Sequence, residues 1–248
     1  MSGCSAVAIG PHLILTAGHV TAGNFLLGNQ TYHMTSTEMA PSFNKKPVDL
    51  RVVQVSDTLP GWYQIAKTVS TKATVTMVGY GATGVVNAAG TGYTVNGGNG
   101  TRRAANNIIN SKSTYDPGPS LVSMLEGAGE SVLAGGDSGG GWFVGGQLVG
   151  ISAFTLSTNT TKPDYGFSSK AYFGSGAIDL TNSALQNWLT ATRGKYGAAS
   201  GSGSRRSDGF DSIAGGSGGA VAAVPEPAPI LSLGLGLILL RKRKRSAK

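Results

Sequence analysis

The chain has 248 residues, enough for one or two domains, and 13% of them are charged, about half the share of a typical soluble domain. Its net charge of +8 argues only weakly for nucleic-acid binding, because residues 1–200 carry 12 Lys and Arg against 9 Asp and Glu, and residues 201–248 carry 8 against 3. No recognition motif accompanies the basic residues, so we expect no nucleic-acid partner. Gly, Ser, Thr and Asn are abundant instead, which is typical of an all-β fold with many tight turns.

The first part of the chain predicts short apolar strands. Ser5–Ile9 and His12–Thr16 are separated by Gly10-Pro11, a turn signal. Residues 48–55 alternate in the manner of a strand with one buried face, and residues 73–80 predict a further strand.

The later part of the chain predicts loops and hairpins at 84–120, then strands at 121–125, 141–144 and 147–154. Beyond residue 180 the pattern becomes helical. Thr181 or Asn182 can provide the N-cap, and the helix is expected to end at Gly194. Apolar residues recur at helical spacing at Leu185, Trp188 and Leu189.

Three segments carry the residue types of a serine hydrolase, in the order His, Asp, Ser. They are LTAGHV at 15–20, VDL at 48–50 and GGDSGG at 135–140. A serine hydroxyl is a weak nucleophile, so it needs an imidazole to accept its proton and a carboxylate to hold that imidazole in the correct tautomer. Glycines beside the serine allow a substrate to approach backbone N–H groups. His19, Asp49 and Ser138 are therefore the candidate catalytic residues.

The order of these residues separates two classes of serine hydrolase. Residues 136–140 also satisfy Gly-x-Ser-x-Gly, the nucleophile motif of α/β-hydrolases, in which the histidine follows the serine. All three histidines, His12, His19 and His33, precede Ser138. The α/β-hydrolase arrangement is therefore excluded.

Alternative assignments remain for some of these residue types. His12 and His33 have no comparable motif around them, so we expect them to be structural. Asp57 is a rival for Asp49, but it precedes Leu-Pro-Gly, which favours a role in a turn.

The motifs together resemble the chymotrypsin/trypsin family of serine proteases. LTAGH is similar to the family's Leu-Thr-Ala-Ala-His, Asp49-Leu50 heads a strand like its Asp-Ile-Ala-Leu, and Gly79-Tyr80-Gly81 is similar to its Gly-Trp-Gly. Gly-Asp-Ser-Gly-Gly is its nucleophile loop unchanged. The resemblance covers residues 4–193 and implies two six-stranded antiparallel β-barrels with a C-terminal helix and an active site between the barrels. We expect the first barrel to lack its N-terminal strand, with the printed sequence beginning after it.

The resemblance also implies roles for individual residues. His19 would be the general base, Asp49 would orient it, and Ser138 would attack the peptide bond. The N–H groups of Gly136 and Ser138 would form the oxyanion hole. Asp137 matches the family's aspartate that pairs with a new N-terminal ammonium after activation cleavage, a partner that it lacks in this sequence.

The family's substrate-binding positions fall on four further residues. Val132 matches the floor of the primary specificity pocket, Ser152 matches the start of the substrate-pairing strand, and Phe154 and Gly176 match opposite walls. An apolar and narrowed pocket would favour small or medium uncharged side chains. No cofactor or metal is expected.

Two cysteines of the family pattern are replaced. Val20 stands where a cysteine follows the histidine, so Cys4, the chain's one cysteine, is expected to be unpaired. A cysteine near the nucleophile is replaced within residues 132–134. These departures affect stability more than chemistry.

The C-terminal quarter predicts a Gly/Ser-rich linker at 195–224 and a tail at 225–248. Val-Pro-Glu-Pro at 224–227, the apolar run Ile230–Leu240 and a basic cluster resemble the PEP-CTERM sorting signal of Gram-negative bacteria. As a helix the run would measure about 17 Å, short of a hydrocarbon core of about 30 Å. The resemblance implies export, transient membrane insertion through residues 230–240 and removal by a processing enzyme. A plain tail anchor is the alternative.

The sequence therefore predicts an exported serine endopeptidase that acts on protein or peptide substrates at the cell surface or outside the cell. A catalytically silent, protease-like binding or scaffold protein is the alternative from a different class.

Overall fold

The structure is a computed structural model that describes residues 3–86, 93–98, 100–114, 118–127, 129–157 and 173–196. The strands are β1 (Val7–Gly10), β2 (Leu13–Thr16), β3 (Phe25–Leu27), β4 (Gln30–Tyr32), β5 (Met34–Met39), β6 (Arg51–Val55), β7 (Thr74–Gly79), β8 (Thr83–Val86), β9 (Tyr93–Gly97), β10 (Arg103–Ile108), β11 (Ser111–Ser113), β12 (Ser120–Met124), β13 (Gly141–Val144), β14 (Gln147–Ser157) and β15 (Phe173–Asp179). The helix α1 spans Ser183–Lys195. The predicted tail and all but the first two residues of the predicted linker lie outside the described residues. None of the described residues belongs to a helix long and apolar enough to cross a bilayer.

The first half of the chain builds a four-stranded antiparallel sheet in the order β1-β2-β6-β5, with the β3–β4 hairpin packed on one face. Alternate residues of a strand point to opposite faces of its sheet. Leu13 and Leu15 of β2 join the core that is shared with the second half, whereas Ile14 packs with Phe25 of the hairpin. Both faces of β2 are therefore buried, which explains its continuous apolar sequence.

β1 forms one edge of this sheet. The N–H of Tyr63 donates a hydrogen bond to the carbonyl oxygen of Ala8 at 3.0 Å and covers part of that edge. A groove of about 590 Å³ lies beside residues 3–8, and Phe25, Tyr63 and Phe143 contribute its aromatic walls.

The second half builds a seven-stranded antiparallel sheet in the order β10-β7-β13-β14-β15-β12-β11. The strands at its two ends, β10 and β11, are consecutive in the chain and are joined only by Ile109 and Asn110. The two ends of the sheet therefore meet, and the sheet curls into a barrel around Trp142, Leu121 and Val149. The predicted arrangement of two antiparallel β units is confirmed, with seven strands in the second sheet where six were expected.

Helix α1 packs on the core that the two halves share. Asn182 caps it by accepting a hydrogen bond from the N–H of Ala184 at 3.0 Å, as one of the two predicted caps. Leu185 and Leu189 are buried in the shared core. The helix continues through Gly194, its predicted end, to Lys195.

Candidate active site

His19 and Asp49 are brought together by the pairing of β2 with β6. His19 lies three residues after β2, and Asp49 lies two residues before β6. Because the two strands are antiparallel and Thr16 pairs with Arg51, these two ends meet. His19 Nδ1 lies 2.7 Å from Asp49 Oδ2, and the backbone N–H of His19 donates to Asp49 Oδ1 at 2.7 Å.

The contact leaves the carboxylate shielded and the imidazole open. The Asp49 side chain is 15% exposed, whereas that of His19 is 49% exposed. A Cβ atom at Gly18 would lie 2.9 Å from Asp49 Oδ1, too close for a side chain. A Cβ atom there would also lie 2.7 Å from Met39 Cε, so the side chains around Gly18 would have to move to admit alanine.

Ser138 comes from the second half of the chain, on the loop that leads into β13. Its Oγ lies 2.9 Å from His19 Nε2. Asp49, His19 and Ser138 therefore form one continuous series of hydrogen bonds across the junction of the two sheets. An imidazole whose Nδ1 is held by a carboxylate presents its Nε2 to the hydroxyl in the geometry that removes a proton.

The loop around Ser138 leaves two backbone donors free. Gly136 has a φ of +94°, a conformation that favours glycine. Among the described residues, the N–H groups of Gly136 and Ser138 donate no hydrogen bond. Gly139, by contrast, donates to the carbonyl oxygen of Ser152 at 2.8 Å, and Gly140 donates to that of Asp137 at 2.8 Å.

Comparison with known proteins places the chain in a family. The family model described as Trypsin matches residues 1–173. The chain belongs to the trypsin family. Among solved structures it is similar to the mouse protein titled neuropsin, a serine protease expressed in the limbic system of mouse brain, with a TM-score of 0.54 and 16% identity over 76% of this chain and 88% of that one. That likeness concerns the fold. No relative matched among curated proteins.

In this trypsin-family chain, Asp137 finds partners that its sequence does not reveal. Its Oδ1 accepts a hydrogen bond from the N–H of Gly81 at 2.8 Å, and its Oδ2 accepts one from the N–H of Ala134 at 2.9 Å. Burial raises the pKa of Asp137 above its ordinary value, while these two donors and the charge of Arg103 act in the opposite direction. Backbone N–H groups from two loops therefore bind the carboxylate for which the resemblance implies an ammonium partner.

Ser152 lies beneath the nucleophile loop and not in the cleft. It is fully buried, and its Oγ accepts a hydrogen bond from the indole N–H of Trp142 at 3.2 Å. Its carbonyl oxygen is occupied by the N–H of Gly139. Within the described residues, the hydroxyl and the backbone groups of Ser152 thus bind Trp142, Gly139 and Gly140, while its proposed place at the start of the substrate-pairing strand stays a prediction.

The remaining pocket positions lie around β14 and β15. Phe154 pairs with Gly176 across the two strands, next to a β-bulge at Ala153. The ring of Phe154 covers Gly176 so closely that a Cβ atom there would overlap it. Val132 is half-buried and precedes Leu133, whose N–H donates to Ser175 Oγ of β15 at 2.7 Å. The three predicted pocket residues thus lie on neighbouring segments, and the ring of Phe154 covers Gly176.

The rival residues lie in turns that do not contact the triad. The carboxylate of Asp57 accepts a hydrogen bond from the hydroxyl of Ser56 at 3.1 Å. His12 Nε2 lies 3.4 Å from Thr58 Oγ1, and the carbonyl oxygen of His33 accepts from the N–H of Ser56 at 3.0 Å. Cys4 is a free, half-buried thiol beside the groove along β1.

Sequence reasoning missed one residue that organises the site, Ser5. It is buried in the segment that leads into β1, and its N–H donates to the carbonyl oxygen of Ser138 at 2.8 Å. A small polar residue within an apolar strand is the signal that could have identified it, since a buried hydroxyl requires a partner.

Proposed function

We propose that this chain is a serine endopeptidase that hydrolyses peptide bonds through an acyl-enzyme. The observation that carries the proposal is the hydrogen-bonded series from Asp49 through His19 to Ser138. Membership in the trypsin family supports the same reaction class.

The chemistry follows from the two distances at His19. Ser138 Oγ attacks the peptide carbonyl carbon while His19 Nε2 takes its proton, and Asp49 stabilises the imidazolium that results. His19 then gives the proton to the leaving amine, so that the C–N bond breaks and an ester to Ser138 remains. Water, deprotonated by the same imidazole, attacks the ester and releases the acid.

The developing oxyanion needs donors that are already in place. The N–H groups of Gly136 and Ser138 have no protein acceptor among the described residues, so they are available to it. Loss of one such donor typically reduces turnover by about 10²- to 10³-fold.

The substrate preference follows from Phe154 and Val132. An aromatic ring over Gly176 and an apolar side chain at the position of the floor favour a small uncharged residue, and Val132 itself offers no carboxylate to Arg or Lys. We therefore propose cleavage after Ala, Val or residues of similar size.

The cellular setting is proposed from the tail sequence alone. Export from a Gram-negative cell, transient membrane contact through residues 230–240 and processing by a sorting enzyme fit the order of Pro-Glu-Pro, apolar run and basic cluster. A plain tail anchor would instead leave the tail uncleaved, and mass spectrometry of the mature protein separates the two.

Hydrolysis of a small-residue peptide ester tests the proposed reaction. A rapid initial release of alcohol, equal to the enzyme concentration, should precede a slower steady state, because the acyl-enzyme forms faster than it is hydrolysed. Ser138→Ala should show neither phase. A folded wild-type chain that releases no alcohol would favour the silent binding protein.

A further inference from the structure

Arg103 lies at the start of β10 and holds a loop beside the nucleophile. Its Nη1 donates to three backbone carbonyl oxygens, those of Gly98 at 2.6 Å, Gly81 at 3.2 Å and Thr101 at 3.2 Å. The guanidinium is half-buried, so its charge is only partly screened by solvent.

Two peptide groups connect Arg103 with the nucleophile loop, and the Gly81 carbonyl belongs to the first of them. That carbonyl shares its peptide group with the N–H of Ala82, which donates to the carbonyl oxygen of Gly135 at 2.9 Å. The Gly135 carbonyl in turn shares its peptide group with the N–H of Gly136. The series that begins at Arg103 therefore ends on one of the two free N–H groups beside Ser138.

A second branch holds the same loop from the other side. The N–H of Gly81 donates to Asp137 Oδ1 at 2.8 Å. Gly79 and Gly81 approach Asp137 so closely that a Cβ atom at either would overlap its carboxylate. The contact between residues 79–82 and residues 135–137 is therefore tight and fixed in register.

We propose that Arg103 is a positioning residue for the oxyanion hole: it orients and polarises the Gly136 N–H through the peptide groups Gly81–Ala82 and Gly135–Gly136. Hydrogen bonds in series strengthen one another. A cation that donates to the first carbonyl oxygen of such a series polarises each peptide group in turn and makes each N–H along it a stronger donor. The inference rests on the proposed function, in which the Gly136 N–H stabilises the oxyanion.

The chain offers a matched set of variants. Arg103→Gln removes the charge, and Arg103→Lys keeps the charge but cannot reach all three carbonyls with one planar group. Arg102→Gln removes the neighbouring guanidinium, which faces Tyr63 in the groove along β1 and does not contact the Gly81 carbonyl. All variants are made in the full chain.

The first readout is turnover per active site, with active sites counted by a fluorophosphonate. Arg103→Gln should lower kcat about tenfold with KM unchanged, because the donor is weakened and not removed. Arg103→Lys should fall between Arg103→Gln and wild type, and Arg102→Gln should match wild type. A wild-type kcat in Arg103→Gln, or a loss confined to KM, would overturn the proposal.

The second readout does not depend on activity. In two-dimensional amide NMR, the Gly136 amide proton should move upfield in Arg103→Gln and remain in place in Arg102→Gln. An unmoved Gly136 resonance in folded Arg103→Gln overturns the proposal.

If Arg103→Gln does not fold, Arg103→Lys decides. It should show a reduced kcat and a shifted Gly136 amide, and a variant that matches wild type in both overturns the proposal. A wild-type chain that neither cleaves peptides nor reacts with the fluorophosphonate would contradict the proposed function, while the amide shift would still test the link from Arg103.

Discussion

The backbone N–H of Ser5 donates a hydrogen bond to the carbonyl oxygen of Ser138 at 2.8 Å, although 133 positions in the printed sequence separate the two residues. The side chain of Ser5 adds two more bonds: its Oγ donates to the carbonyl oxygen of Gly136 at 3.0 Å and accepts from the N–H of Tyr80 at 2.9 Å. Ser5 thereby connects the segment leading into β1 with both the nucleophile loop and the segment after β7.

Ser5→Ala should reduce both stability and turnover. It removes both side-chain bonds and leaves the partly buried N–H of Tyr80 without its acceptor, which costs up to about 1–3 kcal/mol. Because the Gly136 carbonyl loses its donor, kcat should fall while KM is retained. Ser120→Ala is the matched control, since it removes another buried hydroxyl, one that donates to the carbonyl oxygen of Gly118 at 2.8 Å. Steady-state kinetics and urea unfolding of both variants measure these two effects. Equal kcat values in the two variants would contradict the role of Ser5.

The triad residues should act as a unit. Ser138→Ala and His19→Ala should each remove nearly all peptidase activity, and the double variant should be little worse than either. Asp49→Asn should lower turnover by about 10⁴-fold, because the amide favours the wrong imidazole tautomer.

Asp57→Asn is the control for the acid of the triad. Its carboxylate contacts Ser56 and not His19, so turnover should remain near wild type. If Asp57→Asn lost activity while Asp49→Asn kept it, the assignment of Asp49 would be wrong.

Phe154 should set the size of the residue that precedes the scissile bond. In a peptide library the wild-type enzyme should prefer small uncharged residues, and Phe154→Ala should shift the preference toward Leu and Phe by about tenfold or more. The reason is that removal of the ring opens the space over Gly176. A wild-type preference for Arg or Lys would contradict the apolar pocket.

Val132→Asp tests the floor of the same pocket. An aspartate at the floor should add cleavage after Arg and Lys, because it would pair with their charge. If the library profile of Val132→Asp matched that of wild type, Val132 would not line the pocket.

The motifs around His19 and Ser138 were sufficient to predict the meeting of the triad, because each motif combines a reactive residue with the glycines that its backbone requires. The buried strands β2 and β14 were also predictable from their apolar runs, and β6 from its alternation. β5 was not, because its sequence Met-Thr-Ser-Thr-Glu-Met is polar and half-exposed and carries no periodic signal.

The partners of Asp137 and the position of Ser152 could not be derived from the sequence. The donor Gly81 lies 56 positions away from Asp137, and nothing local indicates that the two loops meet. After Ser152, a β-bulge between Ser152 and Phe154 shifts the register of the rest of β14, including Phe154, by one residue. Residue counting from the motif does not detect such a shift.

Glu38 should make stability depend on pH at the end of helix α1. Its carboxylate accepts hydrogen bonds from Lys195 Nζ at 2.6 Å, the Trp188 indole at 3.0 Å and the Tyr196 hydroxyl at 3.0 Å. The hydrogen bond from Lys195, followed by that from Trp188, lowers the pKa of Glu38 below its ordinary value of 4.5. Because the folded state holds the carboxylate ionised, this contribution is present above the ordinary pKa and is lost as the pH falls through the folded pKa.

Glu38→Gln should therefore have a lower urea midpoint than wild type at neutral pH, and the two midpoints should converge as the pH falls below the ordinary pKa of Glu38. When Lys195→Gln is also present, replacing Glu38 by Gln should lower the urea midpoint at neutral pH by less, since Lys195 is the largest cause of the pKa shift of Glu38. A difference between Glu38→Gln and wild type that is the same at every pH would mean that the ionised carboxylate makes no net contribution.

The reaction of Ser138 with a fluorophosphonate is the most direct measurement of the proposed chemistry. The probe bonds covalently to a serine only when an adjacent base takes its proton. In the full chain, peptide mass spectrometry should find one adduct, on Ser138, and His19→Ala should prevent it without loss of the fold as judged by circular dichroism. A folded wild-type chain without an adduct at Ser138, or one labelled equally in His19→Ala, would contradict the assignment of a working triad.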